Sequence, residues 1–469
     1  MPEPAFTYVD LFAGIGGFHA MLDHAGGHCK FVSEIDPEAR QVYLKNWVEH
    51  LPEDLRPQIN QDITTVTPTD AEVQVPKHDV LAAGFPCQPF SKSGMQRGME
   101  EARGTLFWNI ARILEDRTPS VVLLENVRNL TGPRHRHEWN VIIKTLRQLG
   151  YRVSDVPSVF SPHFLPPSLG GTPQVRERVF ILGTYVGPER AKRETDVPPT
   201  IVRGPVDGWN VHDWDVEWVL DEDASIPDLH RYQLTTDEER WIEVWDDLVQ
   251  RIWADTGTRL PGFPLWADEW RPERSLMPLE LEALPKWKSD FLVKNARFYD
   301  DHRVVIESWR KANPDFRSFP ASRRKLEWQA QDSASLWDTV MHFRPSGIRA
   351  KAPTYLPALV AITQTSVIGA RKRRITPHEA ARLQGFSRNF SFAGQRLSAS
   401  YKQVGNGVAV GAAWHVFRTH VEQNAADLPQ QLVQAVRAVR SAPTGDALSS
   451  AAVDLERSVN RMGRVPLAG

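Results

Sequence analysis

Along the first 186 residues, short apolar runs alternate with amphipathic helical patterns. The runs Thr7–Phe12, Lys30–Glu34, Val80–Ala83, Val121–Glu125 and Val179–Thr184 read as strands. The stretches Gly17–Ala25, Glu38–His50, Thr105–Glu115 and Glu138–Leu149 between them read as helices. Parallel strands cannot be joined by a tight turn, and a helix fills the crossover. This alternation therefore predicts an α/β fold, a mostly parallel doubly wound sheet with helices on both faces. At Val186 the rhythm stops. Residues 187–366 hold 12 of the chain's 16 tryptophans and show no clear alternation. Rings of that size demand a core of their own, so 187–366 is expected to be a second, inserted domain. Within it, Thr236-Asp237-Glu238-Glu239 reads as a capping box. Trp241, Val244, Trp245, Leu248 and Ile252 follow on one helical face, a packing stripe.

From 367 to 422 the α/β character returns, with "PHEAARLQGF" and "QVGNGVAVGAAWHVF", and completes the first domain. Residues 423–469 are expected to be a C-terminal appendage, helical or partly disordered. The chain has 469 residues, 41% hydrophobic and 24% charged, a soluble globular balance. Two cysteines supply neither a disulfide framework nor a zinc site, and no metal is expected. The opening "MPEPAFTYVD" lacks a basic segment followed by an apolar one, and no long apolar run follows. Neither a signal peptide nor a membrane span is expected. A formal charge of -2 argues against a uniformly basic nucleic-acid binder but leaves room for a local basic cleft.

"DLFAGIGGFHAML" places Gly14, Gly16 and Gly17 between a strand and a helix, where the backbone can approach a ligand. His19 stands where a dinucleotide fingerprint would have its third glycine. Glu34 ends the second strand, where a carboxylate commonly holds ribose hydroxyls. Asp62, in "QDIT", is placed to accept from an adenine amino group. A glycine turn with acids and no nearby lysine suits an adenosine ligand without phosphates. S-adenosylmethionine is such a ligand, and its sulfonium tolerates acidic surroundings.

Cys87 lies in "GFPCQPF", between Pro86 and Pro89, just past a strand's C-terminal end. A buried structural thiol, a metal ligand and a nucleophile are all conceivable. No Cys or His stands nearby to complete a metal site, and the strand-end turn is where open α/β sheets keep their crevice. Glu125 ends the apolar run "SVVLLENV", where a buried carboxyl gains a raised pKa and can serve as an acid. In "QVRER", Arg176 and Arg178 alternate into a strand and so face one side. A helix cap at Glu125 and surface salt bridges at the arginines are the structural alternatives. Gln88–Gly104, rich in Gly and Ser, reads as a mobile loop.

Together these pieces resemble the C5-specific cytosine methyltransferases of DNA, bacterial restriction-modification type. The resemblance covers residues 7–186 and 370–420, in the family's order. It runs through "DLFAGIGG", "SEID", "QDIT", "GFPCQPFS", "ENV", "QVRER", "RRITPHEAARLQGF" and "QVGNGVAV". It implies a Rossmann-like, S-adenosylmethionine-dependent catalytic domain with a large inserted target-recognition domain. It also implies base flipping, addition of Cys87 to cytosine C6, methyl transfer to C5 and release of S-adenosylhomocysteine. Glu125 would act at N3, Arg178 at O2, and Arg176 at O2 or on Glu125 and the backbone. The cofactor would meet Phe12, Gly14, Ile15, Gly17, Glu34, Ile35, Asp62, Ile63, Gly84, Pro86, Leu106, Asn406 and Val408. DNA would meet Gln88, Ser91, Ser93, Arg103, Thr363, Arg344 and Arg349, with phosphate contacts from some of Arg344, Arg349, Lys351 and the run Arg371-Lys372-Arg373-Arg374. The Pro- and Gly-rich stretch at 161–173 departs from the compact family pattern and is expected to be a surface excursion near the DNA cleft. The resemblance further implies a cytoplasmic monomer that associates with the nucleoid when active and is paired functionally with a cognate restriction endonuclease. A tRNA cytosine-5 methyltransferase of the same fold and a catalytically inactive DNA-binding regulator remain the alternatives.

Overall fold

The computed structural model describes residues 4–86, 105–331, 333–359 and 365–448. Cys87, Gln88, Ser91, Ser93, Arg103 and Thr363 therefore lie outside the described residues. The chain divides into two compact units. One is drawn from Met1–Val219, Pro357–Ile362 and Pro377–Gly469, the other from Leu220–Leu356 and Thr363–Thr376.

The first unit follows the alternation read from the sequence. Its elements are β1 (Phe6–Leu11), α1 (Gly17–His24), β2 (Gly27–Ser33), α2 (Pro37–Trp47), β3 (Gln58–Asn60) and β4 (Val80–Gly84). There follow α3 (Leu106–Arg117), β5 (Val121–Val127), α4 (Arg136–Gln148), β6 (Tyr151–Val153), β7 (Ser158–Phe160), β8 (Gln174–Val175) and β9 (Arg178–Tyr185). The main sheet runs β3-β2-β1-β4-β5-β9-β6, with β7 also on β9. β3 through β5 are parallel, and β9 pairs antiparallel with β5, β6 and β7. Residues 80–83 and 121–126 are buried on both faces, as central strands under two helical layers must be. The inner faces of α3 (Phe107, Ile110, Ile113, Leu114) and α4 (Ile142, Ile143, Leu146) close one side.

Local chemistry sets the helix starts. Asp36 Oδ1 accepts the Glu38 and Ala39 N–H groups at 3.0 and 3.3 Å, and Pro37 follows at the first helical position of α2. α1 begins after Gly16, whose φ of 93° is left-handed. A Cβ there would lie 2.1 Å from Trp47 Nε1, which donates to the Ile15 carbonyl at 2.9 Å. His19, the residue that broke the dinucleotide pattern, is a core side chain. Its Nδ1 meets the Tyr43 hydroxyl at 2.6 Å, and burial holds its pKa down at about 3, so the ring is neutral.

The 161–173 stretch is not a surface excursion. Only Ser168 and Leu169 in it are exposed. The His163 carbonyl accepts both Trp209 and Trp214 Nε1 at 3.0 Å, and Thr172 Oγ1 donates to the Leu383 carbonyl at 2.7 Å. The glycines permit backbone-to-backbone contact: a Cβ at Gly411 would stand 1.8 Å from the Gly170 carbonyl oxygen. The prolines and glycines thus build an interior strap under the helix Val410–Gln423. Residues 187–219, with Trp209, Trp214 and Trp218, belong to this unit. A helix spans Gln430–Ala438, and 449–469 lie outside the described residues.

The second unit has a six-stranded sheet, in spatial order Leu265–Trp266, Lys325–Gln329, Gly347–Lys351, Val340–Arg344, Val367–Ile368 and Arg373–Arg374. Its core gathers Trp245, Trp270, Trp309 and Trp328. The helix Thr236–Thr256 opens with the capping box one residue earlier than expected. Thr235 is the cap, because its Oγ1 accepts Glu238 N–H while the Glu238 carboxylate accepts Thr235 N–H. Acids of the same unit face the run 371–374, part of the set expected to contact phosphate, and Lys372 stays 53% exposed. Arg373 is fully buried on Asp223, Lys372 pairs with Glu239 and Arg374 with Glu238, and Arg371 lies 3.9 Å from Glu222 and Asp223. Among the described residues, no helix is long and apolar enough to cross a membrane, and no His/Cys/Asp/Glu group could hold a metal.

Candidate active site

The C-terminal ends of the parallel strands border a cavity of about 460 Å³. Sheet order divides its lining. From the β1–β2–β3 side come Phe12, Gly14, Ser33, Glu34, Ile35, Asp36, Ala39, Gln61, Asp62 and Ile63, with Leu106 from α3. From the β4–β5–β9 side come Gly84, Phe85, Pro86, Glu125, Asn126, Val127, Arg176 and Arg178. Gln403, Gly405 and Asn406 return from the far end of the chain.

On the first side, the β1–α1 turn uses left-handed backbone at Phe12 (φ 56°) and Gly14 (φ 56°). Gly14 N–H donates to Glu34 Oε2 at 2.7 Å, and Asp36 N–H to Glu34 Oε1 at 2.7 Å. Each carboxylate oxygen thus keeps a second lone pair for a ligand. Burial pushes the Glu34 carboxyl above its usual range, against the pull of these two N–H groups. Asp62 Oδ1 accepts from Thr64 N and Oγ1 at 2.9 and 2.8 Å, and Oδ2 has no partner among the described residues. Phe12, Ile63 and Leu106 form apolar walls, and Ile35, 70% exposed, forms the rim. Among the described residues, three carboxylates and no lysine or arginine line this side. Phosphates would be repelled there. An adenosine with hydroxyls to donate and a cationic tail fits.

Ile15, Gly17 and Val408 do not line the cavity. Ile15 is buried, and a Cβ at Gly17 would meet the Val408 carbonyl oxygen at 2.7 Å. They pack behind the turn and set its position. Conversely, Ser33, Asp36, Ala39, Gln61, Phe85, Asn126, Val127, Gln403 and Gly405 line the cavity and were not named singly in the sequence. All but Ala39 lie within "SEID", "QDIT", "GFPCQPFS", "ENV" or "QVGNGVAV", and that position was the available signal.

On the second side, parallel register sets Glu125 directly beside Gly84, two residues before Pro86. Asn126 Nδ2 donates to the Phe85 carbonyl at 2.8 Å and so ties the end of β5 to the turn that leads to Cys87. Glu125 is 7% exposed. Burial pushes its carboxyl above the usual range, and the Arg178 and Arg176 guanidiniums oppose that shift. The two arginines have separate tasks. Arg178 Nε lies 3.0 Å from Glu125 Oε1 and Nη1 donates to the Glu177 carbonyl at 2.9 Å, leaving Nη2 without a partner among the described residues. Arg176, 1% exposed, donates through Nη2 to the Gly405 and Gly407 carbonyls at 2.9 and 2.6 Å. Of the roles open to Arg176, the structure has it on the backbone, where it clamps the return segment against β8 and β9.

Residues 6–422 match the C-5 cytosine-specific DNA methylase family. The chain belongs to that family. The methylase is 46% identical to type II methyltransferase M.AluI of Cellulosimicrobium cellulans, across 95% of this chain and 98% of that one. It is 28% identical to type II methyltransferase M.HgiBI of Herpetosiphon aurantiacus, across 86% of this chain and 94% of that one. Among solved structures, S. pombe Dnmt2 methyltransferase aligns at 14% identity and TM-score 0.46, covering 89% of this chain and 99% of that one. The methylase uses S-adenosylmethionine to methylate cytosine at C5 in DNA. The acid-lined side of its cavity fits that donor.

Proposed function

We propose that the methylase works on a cytosine swung out of duplex DNA into the cavity, with Cys87 as nucleophile. The observation that carries this reading is the buried Glu125 carboxyl, held by Arg178 at 3.0 Å beside the strand end that leads through Pro86 to Cys87. The Cys87 thiolate adds to C6, and the electron pair displaced from the C5–C6 bond moves toward N3 and O2. Glu125 supplies a proton to N3, and Arg178 Nη2 donates to O2. C5 becomes the nucleophile. S-adenosylmethionine supplies the methyl group as an electrophile. With S-adenosylhomocysteine left behind, loss of the C5 proton to water, elimination of the Cys87 thiolate and return of the N3 proton to Glu125 restore the ring. The Glu125 acid also favours cytosine over uracil, whose N3 carries a hydrogen and cannot accept.

On the cofactor, Glu34 would hold the ribose, Asp62 the adenine amino group and Phe12 the adenine face, with Gly14, Ile35, Ile63, Gly84, Pro86, Leu106 and Asn406 around it. The second unit, with Arg344 and Arg349, would recognise the target sequence. Gln88, Ser91, Ser93, Arg103 and Thr363 remain candidates for DNA contact. The similarity to two type II methyltransferases supports protection of host DNA against a cognate endonuclease, a role that a cytoplasmic monomer would serve. Bisulfite sequencing of duplex DNA incubated with the protein and S-adenosylmethionine tests the reading. Protected cytosines should fall at one recurring sequence. Preferential methyl transfer to tRNA, or none to duplex DNA, would overturn it.

A further inference from the structure

Three strands of the second unit, Lys325–Gln329, Gly347–Lys351 and Val340–Arg344, lie side by side in fixed register. Alternation sends Leu326, Trp328, Met341, Ile348 and Ala350 into the core. The same alternation sets Lys325, Glu327, Arg344, Arg349 and Lys351 on the opposite face, four cations around one carboxylate. His342 forms part of the floor of that face, buried, with Nε2 on Ser366 Oγ at 2.7 Å.

The carboxylate sits at the centre of the pattern. In one cross-strand row Glu327 is the direct partner of Arg349, which is in turn the partner of His342. Glu327 Oε2 accepts from Arg349 Nε at 2.8 Å and lies 3.9 Å from Arg344 Nη1. Neither Nη of Arg349 has a partner among the described residues, and the side chain is 31% exposed. A guanidinium anchored through Nε presents its two Nη groups as a fixed fork. The acid beside it fixes the direction of the fork and offsets part of its charge. A fixed fork suits a neutral base edge, where direction matters more than charge.

We propose that this face reads bases in the DNA major groove. Arg349 donates both Nη groups to O6 and N7 of a guanine, and Glu327 is the positioning residue that fixes the fork. Lys325, Lys351 and Arg344 flank the contact. The inference rests on the DNA-methylating function above and adds to it which residues set the target sequence.

The test compares wild type with Arg349→Lys, Arg349→Ala and Glu327→Gln. The first readout is kcat/KM on duplexes in which each position of the wild-type target is varied in turn. The second is the salt dependence of binding to an unrelated duplex. Arg349→Lys keeps the charge and loses the fork. It should lose about tenfold or more in discrimination at one G·C pair while keeping the salt dependence. Glu327→Gln should relax the same pair and no other, a position-specific effect that a merely structural role would not produce. The inference is overturned if Arg349→Lys keeps full discrimination. It is also overturned if Arg349→Ala weakens every duplex equally and flattens the salt slope by about 0.9, the mark of a phosphate contact. Wild-type protein that methylates no duplex would overturn the functional reading first, and this inference with it.

Discussion

Replacing Glu125 by Gln removes one ionisable proton and almost nothing else. The amide oxygen can still accept from Arg178 Nε, now 3.0 Å from Glu125 Oε1, so the pair's geometry should survive. The melting temperature should stay within about 2 °C, since about 1 kcal/mol shifts a chain of this size by only about 1 °C. Activity should not survive. General acid catalysis by a positioned carboxyl contributes about 10²- to 10⁴-fold, or about 2.7 to 5.4 kcal/mol of barrier. Single-turnover transfer of labelled methyl to duplex DNA measures that loss without interference from product release. The pH profile adds a second reading. Burial raises the Glu125 carboxyl above its usual range, so its proton is held to higher pH than on an exposed carboxyl. Wild-type single-turnover rate should therefore fall as pH rises through that raised value, and the variant should lack this limb. A Glu125→Gln protein within about tenfold of wild type, or one with the same alkaline limb, would refute the acid role.

Glu34→Gln turns an NH₂ toward one of two backbone donors and removes a charged acceptor, so S-adenosylmethionine should bind about 10- to 100-fold more weakly by calorimetry. Unchanged affinity would remove Glu34 from the cofactor site. Gly411→Ala puts a methyl where the Gly170 carbonyl oxygen stands, 1.8 Å away. It should cost about 1 to 3 kcal/mol or more in urea unfolding, and a neutral result would mean the strap is not packed as described. His19 and His420 are buried with pKa values held down to about 3. The unfolded chain then binds more protons below its ordinary histidine pKa. Stability is full above about pH 6.5 and should fall by about 1.4 kcal/mol per pH unit for each ring as pH drops below that. Unfolding free energies that are equal at neutral and mildly acidic pH would contradict neutral buried rings.

Strands and helices of the catalytic unit were legible because central parallel strands and their covering helices leave strong periodic marks, and "DLFAGIGG", "ENV" and "QVRER" sit where those elements end. Glu34, Asp62, Glu125, Arg176 and Arg178 do line one cavity. Three features were illegible for physical reasons. The strap at 161–173 has the composition of a loop, but its prolines and glycines serve close backbone packing, which composition does not reveal. The division of labour between Arg176 and Arg178 depends on carbonyls of Gly405 and Gly407, more than two hundred residues away. The run 371–374 looks like a phosphate-binding patch until Asp223, Glu238 and Glu239 come to lie against it. In each case a distant partner decides the role, and local pattern cannot name it.

In the proposed mechanism Cys87 forms a covalent bond to the cytosine that is methylated. Duplex DNA carrying 5-fluorocytosine at the target should trap that bond, because fluorine at C5 cannot leave as a proton does. Wild-type protein with S-adenosylmethionine should give a denaturation-resistant protein–DNA adduct. Cys87→Ser should give none while still binding the cofactor. An adduct in the Ser variant, or none in active wild type, would contradict the account.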